Sequence, residues 1–385
     1  MKILFMLPSI SVGGLERVQV TVANALVNRG HDVTVMTYME GDALVGELDQ
    51  RVHFVYKRRK PFHIMRKIPY IRYKFYDDGM WETRTSARRL HRYYIGKEQY
   101  DVEIAFFRGM GVKTISGCPR SRNNIRIAWV HSDFEKALGY QNNFKNIKQV
   151  FEAYQSMHHV VCVSCQAMES FKKVIGDTGN LSVIYNLQPI KTILEKSTIS
   201  IEWPITKLGL RIVHVGRVID RIKGHKRLVE SVIRLHNEGF ALSLVFVGDG
   251  QDRELIQNFI KEHHAEEYIT MVGNQLNPYP YMKNADLLVC ASQFEGFPLF
   301  VAESMIVGTP VLSTECTGSN EILDYGKYGM IVENSQEGIY QGIRELLIHK
   351  KKLESMRQKT AERIAFFDEE NILNQIENLF YGATS

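Results

Sequence analysis

Two carboxylates eight positions apart, Glu295 and Glu303, bracket a glycine and a proline in Glu295-Gly-Phe-Pro-Leu-Phe-Val-Ala-Glu303. Gly296 suits a loop leaving a strand, because glycine reaches backbone angles that other residues avoid. Pro298 suits the first turn of a helix, where its missing N–H costs nothing. A helix from about Leu299 to Val307 follows, ending at Gly308-Thr-Pro310. Backbone N–H groups at Phe297, Leu299 and Phe300 would then face an incoming anion, helped by the helix dipole. A loop carboxylate at Glu295 can accept hydrogen bonds from sugar hydroxyls, and Glu303, one turn into the helix, can reach a ribose diol. Taken alone, the spacing is more readily that of two solvated helix-end glutamates, so the surrounding elements decide.

Those elements read as two α/β series. Ala285-Asp-Leu-Leu-Val-Cys-Ala291, just upstream, is a short apolar run of buried-strand type. At the start of the chain, Lys2–Leu7 is a strand and Gly13-Gly14 open a helix from about Leu15 to Arg29. Asp32–Thr37 is the next strand. The loop is not G-x-G-x-x-G, which disfavours a dinucleotide site. Val102–Phe107, Ile125–Val130, Val160–Val163 and Leu181–Tyr185 are further strands; the second exits into His131-Ser-Asp133, and Ser164 is placed to cap a helix. Pro189 to Leu208 lacks clear periodicity and reads as a linker. A second series begins with Arg211–Val215, exits through Gly216-Arg217, and opens a helix at Lys223-Gly224. Leu242–Val247 and Ile269–Val272 follow, the latter leading into Gly273-Asn274. The expected organisation is residues 1–188, completed by a C-terminal helix at about 366–385, a linker at 189–208, and a second domain at 209–365. In such a pair, substrates bind where strand C-terminal ends face a shared cleft.

Composition narrows the class. The chain has ordinary globular proportions, 44% hydrophobic and 24% charged, and no apolar run near the ~20 residues of a membrane span. The initial apolar run stops within a few residues without a small-residue cleavage pattern, so it reads as a first strand and not as a signal peptide. Five scattered cysteines fit a reducing cytoplasm, and Cys162-Val-Ser-Cys165, without a second pair, reads as a strand end. Net charge is +5, yet thirteen Lys/Arg against three Asp/Glu fall between Arg51 and Arg92, leaving the remainder net acidic.

The motifs of the second half, in order, are Val215-Gly-Arg217 with Lys223-Gly224, Val247-Gly-Asp-Gly250, Asn277-Pro-Tyr-Pro-Tyr-Met-Lys-Asn-Ala-Asp286, Phe294-Glu-Gly-Phe-Pro-Leu299 with Glu303, and Gly308-Thr-Pro-Val311. This set resembles the family 4 retaining glycosyltransferases of GT-B fold, and Gly13-Gly14 and His131 match family positions in the first half. Leu187-Gln188 and Thr317-Gly-Ser-Asn320 depart from the usual family pattern. The resemblance implies an α/β GT-B fold, two Rossmann-like doubly wound domains facing each other across a cleft, and transfer of a hexose or N-acetylhexosamine from a nucleoside-diphosphate sugar, UDP foremost.

By the same resemblance, Arg217 and Lys223 hold the diphosphate, as a guanidinium fork and a point charge suited to a developing leaving group. Glu295, with Gly216, Asn274, Gly296, Phe297, Pro298, Leu299 and Phe300, lines the donor site, and Glu303 takes the ribose. Gly13 and Gly14 admit the donor phosphate and acceptor, and His131 meets the transferred sugar. No metal and no cofactor beyond the sugar nucleotide is expected: Asp77-Asp78 lacks the strand-end D-x-D context of a metal-dependent GT-A site.

The basic stretch, with Lys57, Arg58, Arg59, Lys60, Arg66 and Lys67 beside Phe62, has three readings: a solvated face, a nucleic-acid surface, or a membrane contact. No nucleic-acid motif accompanies it. Bases plus aromatics suit an anionic leaflet and a lipid-linked or glycan acceptor. The expected location is therefore cytoplasmic, peripheral to the inner face of the plasma membrane. A sugar-nucleotide epimerase or hydrolase on the same scaffold, or a non-catalytic sugar-nucleotide-binding partner, are the competing readings.

Overall fold

A computed structural model describes residues 1–11, 13–57, 83–119, 121–136, 143–205 and 209–381. The chain divides into two compact units, Met1–Leu187 with Glu370–Ser385, and Gln188–Glu369.

The first unit is built on seven strands: β1 (Lys2–Leu7), β2 (Asp32–Thr37), β3 (His53–Tyr56), β4 (Val102–Ala105), β5 (Ile125–Val130), β6 (His159–Cys162) and β7 (Leu181–Val183). Their order is β3-β2-β1-β4-β5-β6-β7, and neighbouring strands pair in parallel. Parallel strands covered on both faces need near-continuous apolar runs, and β1 and β4 are buried along almost their whole length. The helix Gly14–Asn28 makes the first crossover, turning Val18, Val22, Ala23 and Leu26 inward. Glu369–Tyr381, at the far end of the chain, also packs on this unit, burying Ile372, Ile376 and Phe380. Its Glu377 Oε1 lies 2.8 Å from His31 Nε2, and Asn374 Oδ1 accepts from Arg29 Nη1 at 2.7 Å.

The second unit carries β8 (Leu210–Val215), β9 (Leu242–Val247), β10 (Ile269–Gly273), β11 (Leu287–Cys290), β12 (Val311–Thr314) and β13 (Met330–Val332) in the order β10-β9-β8-β11-β12-β13, again parallel. Its core joins Ile212, Leu244, Phe246, Leu287, Val289 and Leu312 from the sheet to Leu228, Val232 and Ile343 from the helices. The strand order reverses between β8 and β11. Loops leaving neighbouring strands at such a point diverge and expose the strand ends to a ligand. Arg217 and Lys223 follow β8, and Glu295 follows β11.

Four elements differ from the sequence expectation. The segment read as an aperiodic linker contains a helix, Ile190–Ser197, that buries Ile193 and Ser197. Asn277 Nδ2 donates to its Lys196 carbonyl at 2.9 Å, so it is part of the second unit. Two turns are too short to register as a 3.6-residue period. Strands β3 and β13 escape the same test, being only four and three residues long and incompletely buried. Lys223 closes a short helix that the sequence reading lacks, Asp220–Lys223, whereas the following helix, His225–Asn237, starts after Gly224 as expected.

Candidate functional site

The second unit gathers predicted residues that lie far apart in sequence. Lys223 Nζ donates to Glu295 Oε1 at 2.5 Å, in a pair whose side chains are 17% and 12% exposed. Ser292 Oγ donates to the same carboxylate oxygen at 2.6 Å, and Thr314 Oγ1 holds the Ser292 carbonyl at 2.6 Å. Glu295 is therefore fixed by a cation and a hydroxyl together, with β12 supporting the loop from behind. Lys223 Nζ also stands 5.0 Å from the centroid of the Phe300 ring. The helix Leu299–Ile306 begins at Pro298 with no side chain capping it. Glu303 lies one turn in, half-buried, with Tyr279 hydroxyl 3.5 Å from its Oε1. Arg217 and Asn274 are exposed at the ends of β8 and β10.

Glycines allow the loops to approach this closely. A Cβ on Gly248, where φ is +146°, would come within 1.9 Å of the Gly216 carbonyl oxygen, so the β8 and β9 exits touch backbone to backbone. Gly318, with φ +80°, presses likewise on Gly296, where a Cβ would stand 2.4 Å from the carbonyl oxygen.

Beneath the site lie two imidazoles, His214 and His225, with ring centroids 4.8 Å apart. Burial drives His214 to about 4, against the raising effect of its bond to the Val289 carbonyl, with Lys223 and Arg227 lowering it further. Burial, then His214 and Lys223, drive His225 to about 2. Both are neutral near pH 7, so neither adds charge beside Lys223.

In the first unit, His131 follows β5. Its ring lies 4.6 Å from Phe106, and its Nε2 is buried without a hydrogen-bond partner among the described residues. Burial pushes it down to about 3, despite a raising hydrogen bond to the Phe106 backbone. A neutral ring with one nitrogen engaged offers the other to a hydroxyl. Gly13 caps the helix Gly14–Asn28 in an extended conformation, φ −174°, that any residue adopts. Asp133, two residues after His131, has its Oδ1 engaged: it accepts from the Glu135 and Lys136 amides at 3.0 and 3.2 Å and from Ser170 Oγ at 2.6 Å.

Of the basic stretch, Lys57 is described: its Nζ donates to the Tyr94 carbonyl at 2.8 Å and faces the Tyr93 ring, a helix-end contact. Arg58, Arg59, Lys60, Phe62, Arg66, Lys67 and Asp77-Asp78 lie outside the described residues. Among those described, no helix is long and apolar enough to cross a membrane. A buried trio of metal-ligand type, His91, Glu103 and Cys118, is also present. There His91 Nε2 already holds Glu103 Oε2 at 3.0 Å, and the Arg122 guanidinium, 3.6 Å from Oε1, competes for the same charge.

The sequence pattern does not single out Ser292 or Thr314, although both organise Glu295. The signal for Ser292 is its place three residues before the carboxylate, within reach across a tight loop. Thr314 has no sequence signal, because its contact crosses from one strand to the next.

Comparison with known proteins agrees with the α/β architecture of the two units. The profile of "Glycosyltransferase Family 4" matches residues 12–187, and that of "Glycosyl transferases group 1" matches residues 196–363. An uncharacterised glycosyltransferase of Methanocaldococcus jannaschii is 25% identical over 68% of this chain and 73% of its own. The N-acetylgalactosamine-N,N'-diacetylbacillosaminyl-diphospho-undecaprenol 4-alpha-N-acetylgalactosaminyltransferase of Campylobacter jejuni is 31% identical over 42% of this chain and 44% of its own. A crystal structure of Anabaena HepE in complex with UDP and glucose covers both chains completely, with TM-score 0.78 and 17% identity. These matches identify the fold as GT-B, and the chain belongs to the group 1 glycosyltransferases of family 4.

Proposed function

We propose that this glycosyltransferase takes a hexose or N-acetylhexosamine from a UDP-sugar and passes it, with retention at the anomeric carbon, to a lipid-linked or other glycan acceptor. The observation that carries the donor half is the Lys223–Glu295 pair, seated between Gly216, the Phe300 ring and the start of the Leu299–Ile306 helix. Arg217, Lys223 and the helix dipole supply positive charge to the diphosphate as its bond to the sugar breaks. Glu295 orients the sugar through its hydroxyls, and Glu303 takes the ribose diol. His131 gives its open Nε2 to a substrate hydroxyl.

Retention without a protein nucleophile means that the acceptor attacks from the face the diphosphate leaves, and the departing phosphate oxygen takes the acceptor's proton. The engaged carboxylate of Asp133 supports this reading over double displacement. UDP is favoured by its presence in the HepE crystal, and a lipid diphosphate acceptor by the name of the Campylobacter relative. The bases between Arg51 and Arg92 would then hold the protein on an anionic membrane surface, from the cytoplasmic side.

The test is a panel of UDP-, GDP- and ADP-sugars, with and without lipid extract, in the presence of a chelator. Release of UDP that depends on the extract and withstands chelation supports the whole reading. Turnover independent of any acceptor would favour the hydrolase alternative, binding without turnover a non-catalytic partner, and loss on chelation a metal-dependent site.

A further inference from the structure

Lys223 and Glu295 sit on the segments that leave β8 and β11, yet the backbone pairing of these strands ends well before either residue. Its register runs only through Leu287 opposite Ile212 and Leu288 opposite Val213. On the other side, β11 stays paired with β12 as far as Cys290 opposite Ser313. Beyond those points the chain as far as Glu295 is held mainly by side chains. Alternate residues of an extended chain turn their backbone groups to the same side. The even-numbered carbonyls face β12, where Thr314 Oγ1 donates to Cys290 at 3.3 Å and to Ser292 at 2.6 Å. The odd-numbered groups face the β8 side. There His214 Nδ1 donates to the Val289 carbonyl at 2.8 Å, and Arg227 Nε and Nη2 donate to the Ala291 carbonyl at 2.9 and 2.5 Å. The Gln293 amide donates to the Ile222 carbonyl at 2.7 Å. Lys223 with Glu295 is the next contact in this row.

Arg227 makes the strongest of the side-chain links to the backbone, because a half-buried guanidinium gives two charge-assisted bonds to the carbonyl of a fully buried residue. It reaches back from the first turn of the helix His225–Asn237, past Gly224. A Cβ on Gly224, where φ is +65°, would stand 2.2 Å from the Ala291 carbonyl oxygen and 2.5 Å from Arg227 Nε, so a glycine is what leaves these two in contact. Lys223 immediately precedes that glycine, and Glu295 follows Ala291 by four residues. A shift of the Ala291 carbonyl away from Arg227 therefore moves Glu295 relative to Lys223.

We propose that Arg227 is a positioning residue for the transfer. By holding the Ala291 carbonyl it continues the β8–β11 pairing through a side chain and keeps Glu295 within reach of Lys223. The role rests on the donor site assigned above. Two of the three guanidinium nitrogens are engaged by the carbonyl, so Arg227 acts through Glu295.

The experiment reads amide hydrogen exchange at single residues of the full chain without substrate, and turnover of the UDP-sugar that the panel above selects. In Arg227→Met the Gln293 amide should exchange about ten- to a hundredfold faster than in the parent, the factor that one charge-assisted hydrogen bond gives. The Leu288 amide, bonded to the Pro310 carbonyl at 2.9 Å, should keep its rate. Arg227→Lys retains a cationic donor and should lie closer to the parent in both exchange and turnover. Turnover should fall about tenfold or more in Arg227→Met, but less than about threefold when the same change is made in Glu295→Gln, where the group being positioned is already gone. A parent-like rate at Gln293 overturns the proposal, and so does equal acceleration at Leu288, which would mark general loosening. An equal loss of turnover in both backgrounds overturns it as well. Exchange needs no donor, so it decides on the contact even if Glu295→Gln turns over like the parent, the result that would sink the donor reading instead.

Discussion

Replacing Lys223 by alanine removes a cation held 2.5 Å from Glu295 Oε1, in a pair whose side chains are only 17% and 12% exposed. At an effective dielectric of about 20, the gross attraction at that separation is roughly 6–7 kcal/mol, much of it offset by desolvation. Glu295 would keep the Ser292 hydroxyl at 2.6 Å but lose its neutralising charge. Both groups retain some contact with water, so the expected stability loss is about 1–3 kcal/mol, below that of a fully enclosed pair. For a unit of this size that lowers its melting temperature by roughly 2–10 °C. The kinetic loss should be larger. Removing one preorganised group that stabilises leaving-group charge costs about a hundred- to a thousandfold in kcat. Adding Glu295→Gln separates the two effects, because the double variant no longer carries an uncompensated carboxylate. Calorimetric melting should show stability returning towards the parent, while UDP release stays at the level of Lys223→Ala or below. Turnover by Lys223→Ala within a few-fold of the parent would refute the diphosphate role, and turnover recovering together with stability would reduce Lys223 to a structural partner of Glu295.

Three further outcomes follow from the same geometry. His131 stays neutral in the fold down to about 3 but titrates near 6.5 when unfolded, so the unfolded chain binds more protons between those values and stability falls as pH drops through that window. His131→Phe should flatten that fall, as read from denaturant midpoints at about pH 7 and about pH 4.5; an unchanged slope would mean that the ring is solvated. Gly318→Ala, at φ +80° and 2.4 Å from the Gly296 carbonyl oxygen, should cost about 1–3 kcal/mol and weaken UDP binding, whereas parent-like melting would show that the two loops do not touch. Charge reversal at Arg58, Arg59 and Lys60 should reduce binding to anionic vesicles and transfer to a lipid acceptor, with sugar-nucleotide binding nearly unchanged; equal vesicle binding would leave a soluble acceptor as the better reading.

The sequence shows most clearly those features that repeat along it. The buried runs Lys2–Leu7, Asp32–Thr37, Leu242–Val247 and Val311–Thr314 coincide with β1, β2, β9 and β12, because strands covered on both faces must be apolar throughout. Ser164 announces its helix because capping is local chemistry: its Oγ accepts from the Ala167 amide at 3.1 Å. Glu295 and Lys223 are legible as residue types beside glycines, but their pairing is not, since it depends on β8 and β11 lying side by side. The helix Ile190–Ser197 stays hidden because two turns carry too little periodicity, and its burial comes from partners much later in the chain.

Titration of UDP into the full chain and its variants tests the central assignment most directly, because it reads the donor site without needing the acceptor. The account predicts saturable binding to the parent in the presence of a chelator, weakened about tenfold or more by Arg217→Ala and by Glu303→Ala, as expected when a charged hydrogen-bonding group is removed. His131→Ala should bind UDP like the parent, because its proposed partner is a hydroxyl of the transferring substrates, which UDP lacks. Parent-like affinity in both Arg217→Ala and Glu303→Ala would place the nucleotide elsewhere and contradict the account.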